Sequence, residues 1–295
     1  MAKIGFPSLR IIIHVACVGL VVSACSANRY AKTNKQYKQQ VKVLAEQIRQ
    51  PLPYATPRLG VTYDTSGVAT VSEGPQAKRD AQWVGAIHFN LRKPNYVIIH
   101  HTAQDSLEQT LHTFTVPHSE VSAHYVIGRH GEVYQLLNDY VRGWHAGAGK
   151  WGSVTDLNSV SLGIELDNNG NEPFSDPQIY SLLNVLDTLK RKYNIPTANF
   201  IAHSDIAPTR KEDPSAFFPW KRLAERGFGL WPHEEELTVP PENFNPMDAL
   251  RIIGYDTRDE AAAIKAFKLH YVQRDTSAEL TDYDLQVLYA LYRKL

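Results

Sequence analysis

The polar side chains best able to do chemistry lie where apolar, strand-like runs end. Residues 96–99 run directly into His100, and residues 200–202 run directly into His203. Asp213 follows in a polar loop, immediately before a proline, where the backbone has few allowed conformations. Two imidazoles and one carboxylate form a ligand set that catalytic Zn²⁺ accepts, with a fourth position left for water. We therefore predict that His100, His203 and Asp213 bind one Zn²⁺ ion.

Spacing alone does not establish this zinc site. His100 and His203 are far apart in a chain that contains 12 histidines, so a chance coincidence is easy. The HExxH helix found in many zinc proteases is also absent from the sequence. The prediction therefore depends on other side chains that would act beside the metal.

Two such side chains each have a chemical and a structural interpretation. Glu165 lies in the apolar run of residues 161–166, where it is either an exposed position of an edge strand or a general base that faces the metal. Lys211 lies two residues before Asp213, so an extended backbone would direct both side chains to the same side. There its ammonium would stabilise a developing oxyanion; the alternative is a solvated loop lysine.

The elements that must position these residues alternate between strand and helix. Strands are predicted at residues 96–99, 124–127, 132–137 and 160–166. A long helix begins at Ser175 or Asp176, carries apolar residues at helical spacing, and ends at Asn194. The pattern predicts an α/β fold with a central mixed β-sheet and flanking helices over residues 81–236.

The chain begins with the features of a bacterial export signal. A basic start precedes an apolar stretch, residues 11–22, that is short for a transmembrane span. Residues 22–25 read Val-Ser-Ala-Cys and resemble a lipobox, which predicts a lipoprotein signal peptide over residues 1–24 and lipid attachment at Cys25. A plain signal peptide with an incidental cysteine is the alternative. The resemblance, with Ser26 next, implies an outer-membrane lipoprotein that faces the periplasm of a Gram-negative cell.

Residues 25–80 are polar and rich in turn-forming residues, and are predicted to be a tether or linker behind the lipid anchor. Within them, residues 28–50 are basic with a thin apolar stripe at helical spacing. We interpret this stretch as a solvated helix; the alternative is a helix that lies on anionic lipid.

Residues 240–295 are predicted to form a small three-helix domain. Thr281 and Asp284 have the spacing of a capping box at the start of the third helix. The predicted inner face of this helix consists of Leu285, Leu288, Tyr292 and Leu295. The arrangement resembles a peptidoglycan-binding domain, and the alternative is a domain that only packs on the larger one.

The formal net charge is zero, which gives no electrostatic indication of nucleic-acid binding. We expect no nucleic-acid partner and a monomer.

Several motifs occur in one order along the chain: HHTA at residues 100–103, VSAHY at 121–125, WHAG at 144–147, SLGIE at 161–165, HSDIAP at 203–208, RKEDP at 210–214 and FPW at 218–220. Together they resemble the type-2 zinc N-acetylmuramoyl-L-alanine amidases, whose fold is like that of peptidoglycan-recognition proteins. The resemblance covers roughly residues 90–220.

The resemblance implies zinc at His100, His203 and Asp213, a catalytic base at Glu165 and a transition-state stabiliser at Lys211. The implied reaction is hydrolysis of the amide between N-acetylmuramic acid and L-alanine, in peptidoglycan or its muropeptide fragments. Many relatives read Asn-Asp-Ser or Asn-Asp-Thr before the strand that carries the glutamate; this chain reads Asn-Ser-Val at residues 158–160, which leaves that loop contact open.

Three further residues are candidates for substrate binding: Trp144, His145 and His124. A tryptophan in a glycine-rich loop suits stacking on a sugar, although packing in the core explains it equally well. His124 begins a strand, where a structural role is the alternative. Two other functions also remain open from the sequence: a non-catalytic peptidoglycan-binding module on the same fold, and a zinc peptidase that cuts stem peptides.

Overall fold

The computed structural model of the protein describes residues 29–49, 60–63, 65, 69–72, 88 and 90–295. Cys25 and the predicted signal peptide, residues 1–24, lie outside the described residues. The chain divides into two units, Met1–Gly85 and Ala86–Leu295. No helix in the described part of the chain is both long and apolar enough to cross a bilayer.

The first unit contains one described helix and one described pair of strands. Helix α1, Ala31–Arg49, has no buried residue, which fits both a solvated helix and a helix that lies on lipid. Strands β1, Gly60–Tyr63, and β2, Ala69–Ser72, pair in the antiparallel sense.

The second unit is built on a five-stranded sheet with the order β5-β4-β6-β3-β7. Its strands are β3 (Tyr96–His101), β4 (Tyr125–Ile127), β5 (Val133–Gln135), β6 (Ser161–Leu166) and β7 (Phe200–Ala202). β4, β6, β3 and β7 run parallel to one another, whereas β5 pairs with β4 in the antiparallel sense. The sheet is therefore mixed, as predicted. β6 is its central strand, so the edge-strand interpretation of Glu165 is wrong.

Helices join and cover these strands. They are α2 (Leu107–Thr113), α3 (Leu157–Val160), α4 (Asp176–Tyr193), α5 (His203–Ile206) and α6 (Trp220–Ala224), with 3₁₀ turns at Pro117–Ser119, Thr197–Asn199 and Glu234–Glu236. The Ser175 side chain caps α4 by accepting a hydrogen bond from the Gln178 amide, and Asn194 ends the helix in the left-handed conformation. Both helix boundaries were predicted from the sequence.

The two faces of the sheet pack against different helices. Val97 and Ile99 lie in one apolar cluster with Leu182 and Leu186 of α4. Ile98, which alternates with them, lies in a second cluster with residues of the C-terminal helices. The burial of apolar side chains on both faces supplies the main stabilisation of the sheet.

The C-terminal helices are α7 (Pro246–Ile253), α8 (Glu260–Phe267), its π-helical continuation Lys268–Val272, and α9 (Asp282–Tyr292). The capping box of Thr281 and Asp284 at the start of α9 is present. The predicted inner face of α9 is partly wrong: Leu288 is buried, but Tyr292 and Leu295 are 37% and 59% exposed. Val287 and Leu291 are buried instead. The apolar residues of α9 are spread around the helix, so the sequence is compatible with more than one buried face. Packing against α7 selects the face that contains Val287, Leu288 and Leu291.

Candidate metal centre

The two histidines predicted as ligands lie at neighbouring strand ends. His100 is the last but one residue of β3, and His203 follows directly after β7. Because β3 and β7 are paired in parallel, their carboxyl ends lie side by side. Asp213 returns to the same place, since its carbonyl oxygen accepts a hydrogen bond from the Ser204 amide at 2.9 Å. Residues that are distant in sequence therefore meet.

The three side chains present one ligand atom each to a common centre. His100 Nδ1 lies 2.9 Å from His203 Nδ1 and 3.1 Å from Asp213 Oδ2. His203 Nδ1 lies 3.0 Å from the same oxygen. Atoms that bind one zinc ion tetrahedrally at about 2.0–2.1 Å lie roughly 3.3 Å from one another. Both the donor set and its spacing fit Zn²⁺, and among the described residues this is the one group of potential metal ligands so arranged.

A hydrogen bond on the side of the His203 ring that faces away from the centre determines which ring nitrogen carries the proton. His203 Nε2 lies 3.1 Å from the Ala146 carbonyl oxygen. Because a carbonyl oxygen only accepts, Nε2 carries the proton of the neutral ring. Nδ1 therefore presents a lone pair to the centre.

A longer chain of hydrogen bonds orients His100. Ser161 Oγ donates to the Leu157 carbonyl oxygen at 2.5 Å and can accept from His145 Nε2 at 3.3 Å. His145 Nδ1 is then the acceptor for His100 Nε2 at 3.2 Å. This leaves the lone pair of His100 Nδ1 directed at the centre. Partners of this kind fix the tautomer and the ring orientation of metal-binding histidines.

Burial adds to the electrostatic case for a cation. The side chains of His100 and His203 are 2% and 4% exposed. Burial, and then the proximity of His203, lowers the pKa of His100 to about 4, so this imidazole is neutral near pH 7. Two imidazole lone pairs and a carboxylate oxygen about 3 Å apart repel one another until a cation lies among them. The geometry is thus the one expected of a metal site.

Glu165 faces this centre from the adjacent strand. β3 and β6 pair in parallel with His100 opposite Glu165, so both side chains lie on the same face of the sheet. Glu165 Oε1 lies 4.0 Å from His100 Nδ1. Burial, together with the negative charge of Asp213, raises the pKa of Glu165 to about 8, and Lys211 opposes this shift. A carboxyl group that titrates near neutrality is suited to take up and release a proton.

Lys211 and Trp144 line the cavity that opens above the centre. This cavity has a volume of about 290 Å³, and its walls include the three predicted ligand residues and Glu165. Lys211 makes no ion pair with any residue that the structure describes, so its ammonium is available to a ligand in the cavity. The Trp144 amide donates to Ser122 Oγ at 2.8 Å, while the residue is 56% exposed. The indole can therefore contact a bound molecule.

Comparison with known proteins identifies the family. A family profile described as N-acetylmuramoyl-L-alanine amidase (Amidase_2) matches residues 90–216. The N-acetylmuramoyl-L-alanine amidase AmiD of Escherichia coli K12 is 32% identical over 206 residues, which are 59% of this chain and 74% of AmiD. The chain belongs to the N-acetylmuramoyl-L-alanine amidase family.

Solved amidase structures have the same fold. The complex of E. coli AmiD with the substrate anhydro-N-acetylmuramic acid-L-Ala-D-gamma-Glu-L-Lys superposes with a TM-score of 0.63 at 28% identity, over 80% of this chain and 98% of that one. AmpDh3 of Pseudomonas aeruginosa in complex with anhydromuramic pentapeptide superposes with a TM-score of 0.62 at 25% identity, over 74% of this chain and 98% of that one. The predicted fold class is confirmed.

Two residues that were predicted to bind substrate make buried contacts in this amidase. His145 is 8% exposed, and both of its ring nitrogens lie within hydrogen-bond distance of protein groups. His124 is fully buried: its Nδ1 accepts from the Gly163 amide at 3.1 Å, and its Nε2 donates to the Val141 carbonyl oxygen at 2.9 Å. His145 lines the cavity together with the exposed Trp144, whereas His124 does not. The contacts of the two histidines favour supporting roles for them, and Trp144 remains the candidate for contact with substrate.

Two residues to which the sequence analysis assigned no contact hold loops around the centre. Asn158 Oδ1 accepts hydrogen bonds from the amides of His145 and Ala146 at 3.1 and 2.9 Å, so the Asn-Ser-Val sequence does make a contact with the loop. His101 Nδ1 accepts from the Ser215 amide at 3.1 Å, two residues after Asp213. Residue type gave no signal for either contact, because both partners are backbone amides from distant segments.

Proposed function

We propose that the protein is a zinc-dependent N-acetylmuramoyl-L-alanine amidase, with one zinc ion per chain. Its reaction is hydrolysis of the amide between N-acetylmuramic acid and L-alanine in peptidoglycan or muropeptides. The observation that carries the proposal is the convergence of two imidazole nitrogens and one carboxylate oxygen beside the Glu165 carboxyl group. The muropeptides bound to AmiD and AmpDh3 support the substrate class.

His100, His203 and Asp213 would hold the ion. When bound, zinc polarises a carbonyl group and lowers the pKa of water toward ~7. Thr102 and Trp144 also line the cavity that these three residues border, and a muropeptide would bind in it.

Glu165 moves the proton that the reaction needs. Its carboxylate takes one proton from the attacking water and passes it to the amide nitrogen of L-alanine as the C–N bond breaks. The water oxygen stays on the lactyl carbon, so the products are a muramic acid carboxylate and a stem peptide with a free amino group. The pKa of Glu165 is raised to about 8 without an ion; the charge of a bound ion would lower it and favour the carboxylate that acts as the base.

Lys211 stabilises the charge that develops on the carbonyl oxygen. Its ammonium lines the same cavity as Glu165 and is close enough to lower the pKa of that carboxyl. Removal of one such stabilising group typically costs about 10²–10³ in kcat.

The decisive experiment is digestion of purified muropeptides, identified by mass, with and without a chelator. Release of the intact stem peptide and the intact sugar, lost on chelation and restored by zinc, is the expected result. Cleavage inside the stem peptide would instead indicate a zinc peptidase. An unaltered substrate with zinc bound would indicate a non-catalytic binding module and would overturn the proposal.

We also propose that the amidase is an outer-membrane lipoprotein that faces the periplasm, attached through Cys25. The lipobox at residues 22–25 and helix α1 behind it, which buries no residue, support this. Labelled fatty acid should be incorporated into the unaltered protein but not into Cys25→Ser, which should fractionate with soluble periplasmic protein. Labelling of the Cys25→Ser variant would contradict the assignment.

The binding of peptidoglycan by residues 240–295 is a separate proposal, supported by the resemblance of its three helices to a peptidoglycan-binding domain. Zinc-free protein should still co-sediment with purified peptidoglycan if these helices bind it. The boundary at residues 81–236 and the monomeric state remain predictions.

A further inference from the structure

A buried carboxylate links the metal centre to the C-terminal helices. Asp205 lies two residues after His203 and is fully buried. It accepts three hydrogen bonds: from the Ala202 amide at 2.8 Å, from the Tyr255 hydroxyl at 2.7 Å and from His270 Nδ1 at 2.7 Å. Two of the three donors therefore come from residues that follow α7 and α8.

These donors are needed because a carboxylate is costly to bury without hydrogen bonds. Tyr255 is 1% exposed and His270 is 1% exposed, so water does not reach the Asp205 side chain from either direction. Without the C-terminal donors, this side chain would keep one hydrogen bond from the described protein, that of the Ala202 amide.

The ring of His270 is held in one orientation. It stacks between Trp220 and Tyr271, each at a centroid distance of 3.9 Å, with interplanar angles of 22° and 7°. Its Nε2 is buried with no hydrogen-bond partner in the described part of the protein. The ring therefore makes its one hydrogen bond to Asp205, and stacking directs Nδ1 toward that carboxylate.

Asp205 in turn controls the backbone around the second histidine ligand. Helix α5 is a single turn of four residues, which has little stability of its own. The carboxylate holds the amide of Ala202, the residue before His203. On the other side, the Ser204 amide holds the Asp213 carbonyl oxygen. The turn fixed by Asp205 therefore places two of the three ligands.

We propose that Asp205, Tyr255 and His270 are positioning residues through which the C-terminal helices maintain the affinity of the metal centre for zinc. This proposal rests on the proposed zinc site. It makes the C-terminal helices a structural part of the amidase, whether or not they also bind peptidoglycan.

The test uses variants of the whole chain in which an aromatic side chain stays but the hydrogen-bond donor to Asp205 is removed. They are Tyr255→Phe, His270→Phe and the double variant. Zinc affinity is measured by competition with a chromogenic chelator, and ligand geometry by the absorption spectrum of the cobalt form. Loss of a group hydrogen-bonded directly to a metal ligand typically weakens metal binding 10–100-fold, and Tyr255 and His270 act one step further out, through Asp205. We expect about 10-fold or more for the double variant, smaller losses for each single variant, and a shifted cobalt spectrum.

The matched control is Lys268→Met. Lys268 is fully buried in the same helices and pairs with Asp275 and Asp284, so its loss destabilises this region without removing a hydrogen bond from Asp205. Its zinc affinity and cobalt spectrum should match those of the unaltered protein.

Two results would overturn the proposal: unchanged zinc affinity in the double variant, or a control that loses as much affinity as the double variant at equal loss of stability. Failure of the unaltered protein to bind zinc is a distinct result, since it would remove the proposed function itself and the coupling with it.

Discussion

Glu165 and His100 are paired residues of adjacent parallel strands, and this register decides what the glutamate can do. A carboxyl group on an exposed edge would be ionised and solvated. Here burial and the neighbouring Asp213 raise the pKa of Glu165 to about 8. The same residue type in the same local sequence thus has a different chemistry because of its neighbours in space.

Replacing this carboxyl group by an amide tests its role. Glu165→Gln should lower kcat by about 10²–10⁴, because an amide cannot accept the proton of water. The metal content, measured by atomic absorption, should remain at the level of the unaltered protein. Glu225→Gln, an exposed position, is the control and should keep full activity. Retention of activity by Glu165→Gln would remove the glutamate as the base.

His124 provides a test of the electrostatics that does not involve the metal ligands. Burial lowers its pKa to about 4, whereas histidine in an unfolded chain titrates near 6.5. Between these values the unfolded state binds more protons, so the free energy of unfolding falls as the pH decreases from about 6.5 to about 4. This difference in pKa between the folded and unfolded states corresponds to about 3 kcal/mol in the free energy of unfolding.

His124→Gln should remove this contribution. Chemical denaturation of the zinc-free proteins at pH 7 and pH 4.5 is the measurement. The variant should be less stable at pH 7, because it loses hydrogen bonds, and the difference from the unaltered protein should shrink at pH 4.5. An equal dependence on pH in both proteins would contradict the assignment.

At the scale of elements, one face of β6 borders the candidate metal centre at three alternate positions. Ser161 supports His145 by a hydrogen bond, Gly163 leaves space for the same ring, and Glu165 faces the ligands. In a strand, residues two apart lie on the same face. The strand therefore holds both the base and the partner that orients His100.

The absence of a side chain at Gly163 can be tested by adding one. A Cβ there would lie 2.6 Å from His145 Nδ1, too close for an unaltered ring position. Gly163→Ala should displace His145, weaken zinc binding by about 10-fold and cost roughly 1–3 kcal/mol of stability. Zinc competition and chemical denaturation are the measurements.

Gly152→Ala is the matched control, because its added Cβ meets nothing within 4 Å, although its φ of +57° is strained for alanine. It should lose stability and keep its zinc affinity. Normal zinc binding by Gly163→Ala would show that the ring position of His145 does not matter to the centre.

At the scale of the whole molecule, the sheet and the C-terminal helices share one apolar cluster. Ile98 and Ile201 of the sheet lie in it with Leu250, Phe267 and Leu288. Ile98 and His100 are two residues apart in β3, so their side chains lie on the same face of the sheet. The C-terminal helices therefore cover the face that carries His100. Residues 86–295 accordingly form one compact unit.

Metal removal should therefore affect the stability of this whole unit. A ligand that binds only the folded state at 1,000 times its Kd adds about 4 kcal/mol. For a unit of this size, chelation should lower the Tm by roughly 10 °C. Calorimetry with and without a chelator is the measurement. Asp213→Ala should melt near the chelated protein and show no response to the chelator. An unchanged Tm on chelation would argue against zinc binding at this centre.

The sequence by itself determined the elements whose signals are local. The long helix α4 follows from its apolar spacing and from the caps Ser175 and Asn194, and the start of α9 follows from Thr281 and Asp284. The ligand candidates could also be named, because residue types and ordered motifs are visible along the chain. These signals act over a few residues, so no knowledge of the fold is needed to recognise them.

Only the tertiary structure decided which side chains meet and from which side. The convergence of His100 with His203 depends on the pairing of β3 with β7, and the burial of His145 depends on Gly163 and Ser161 in another strand. The buried face of α9 was likewise selected by its packing against α7. Each of these contacts joins residues distant in sequence, and their geometry is set by sheet register and side-chain packing, which local sequence patterns do not encode.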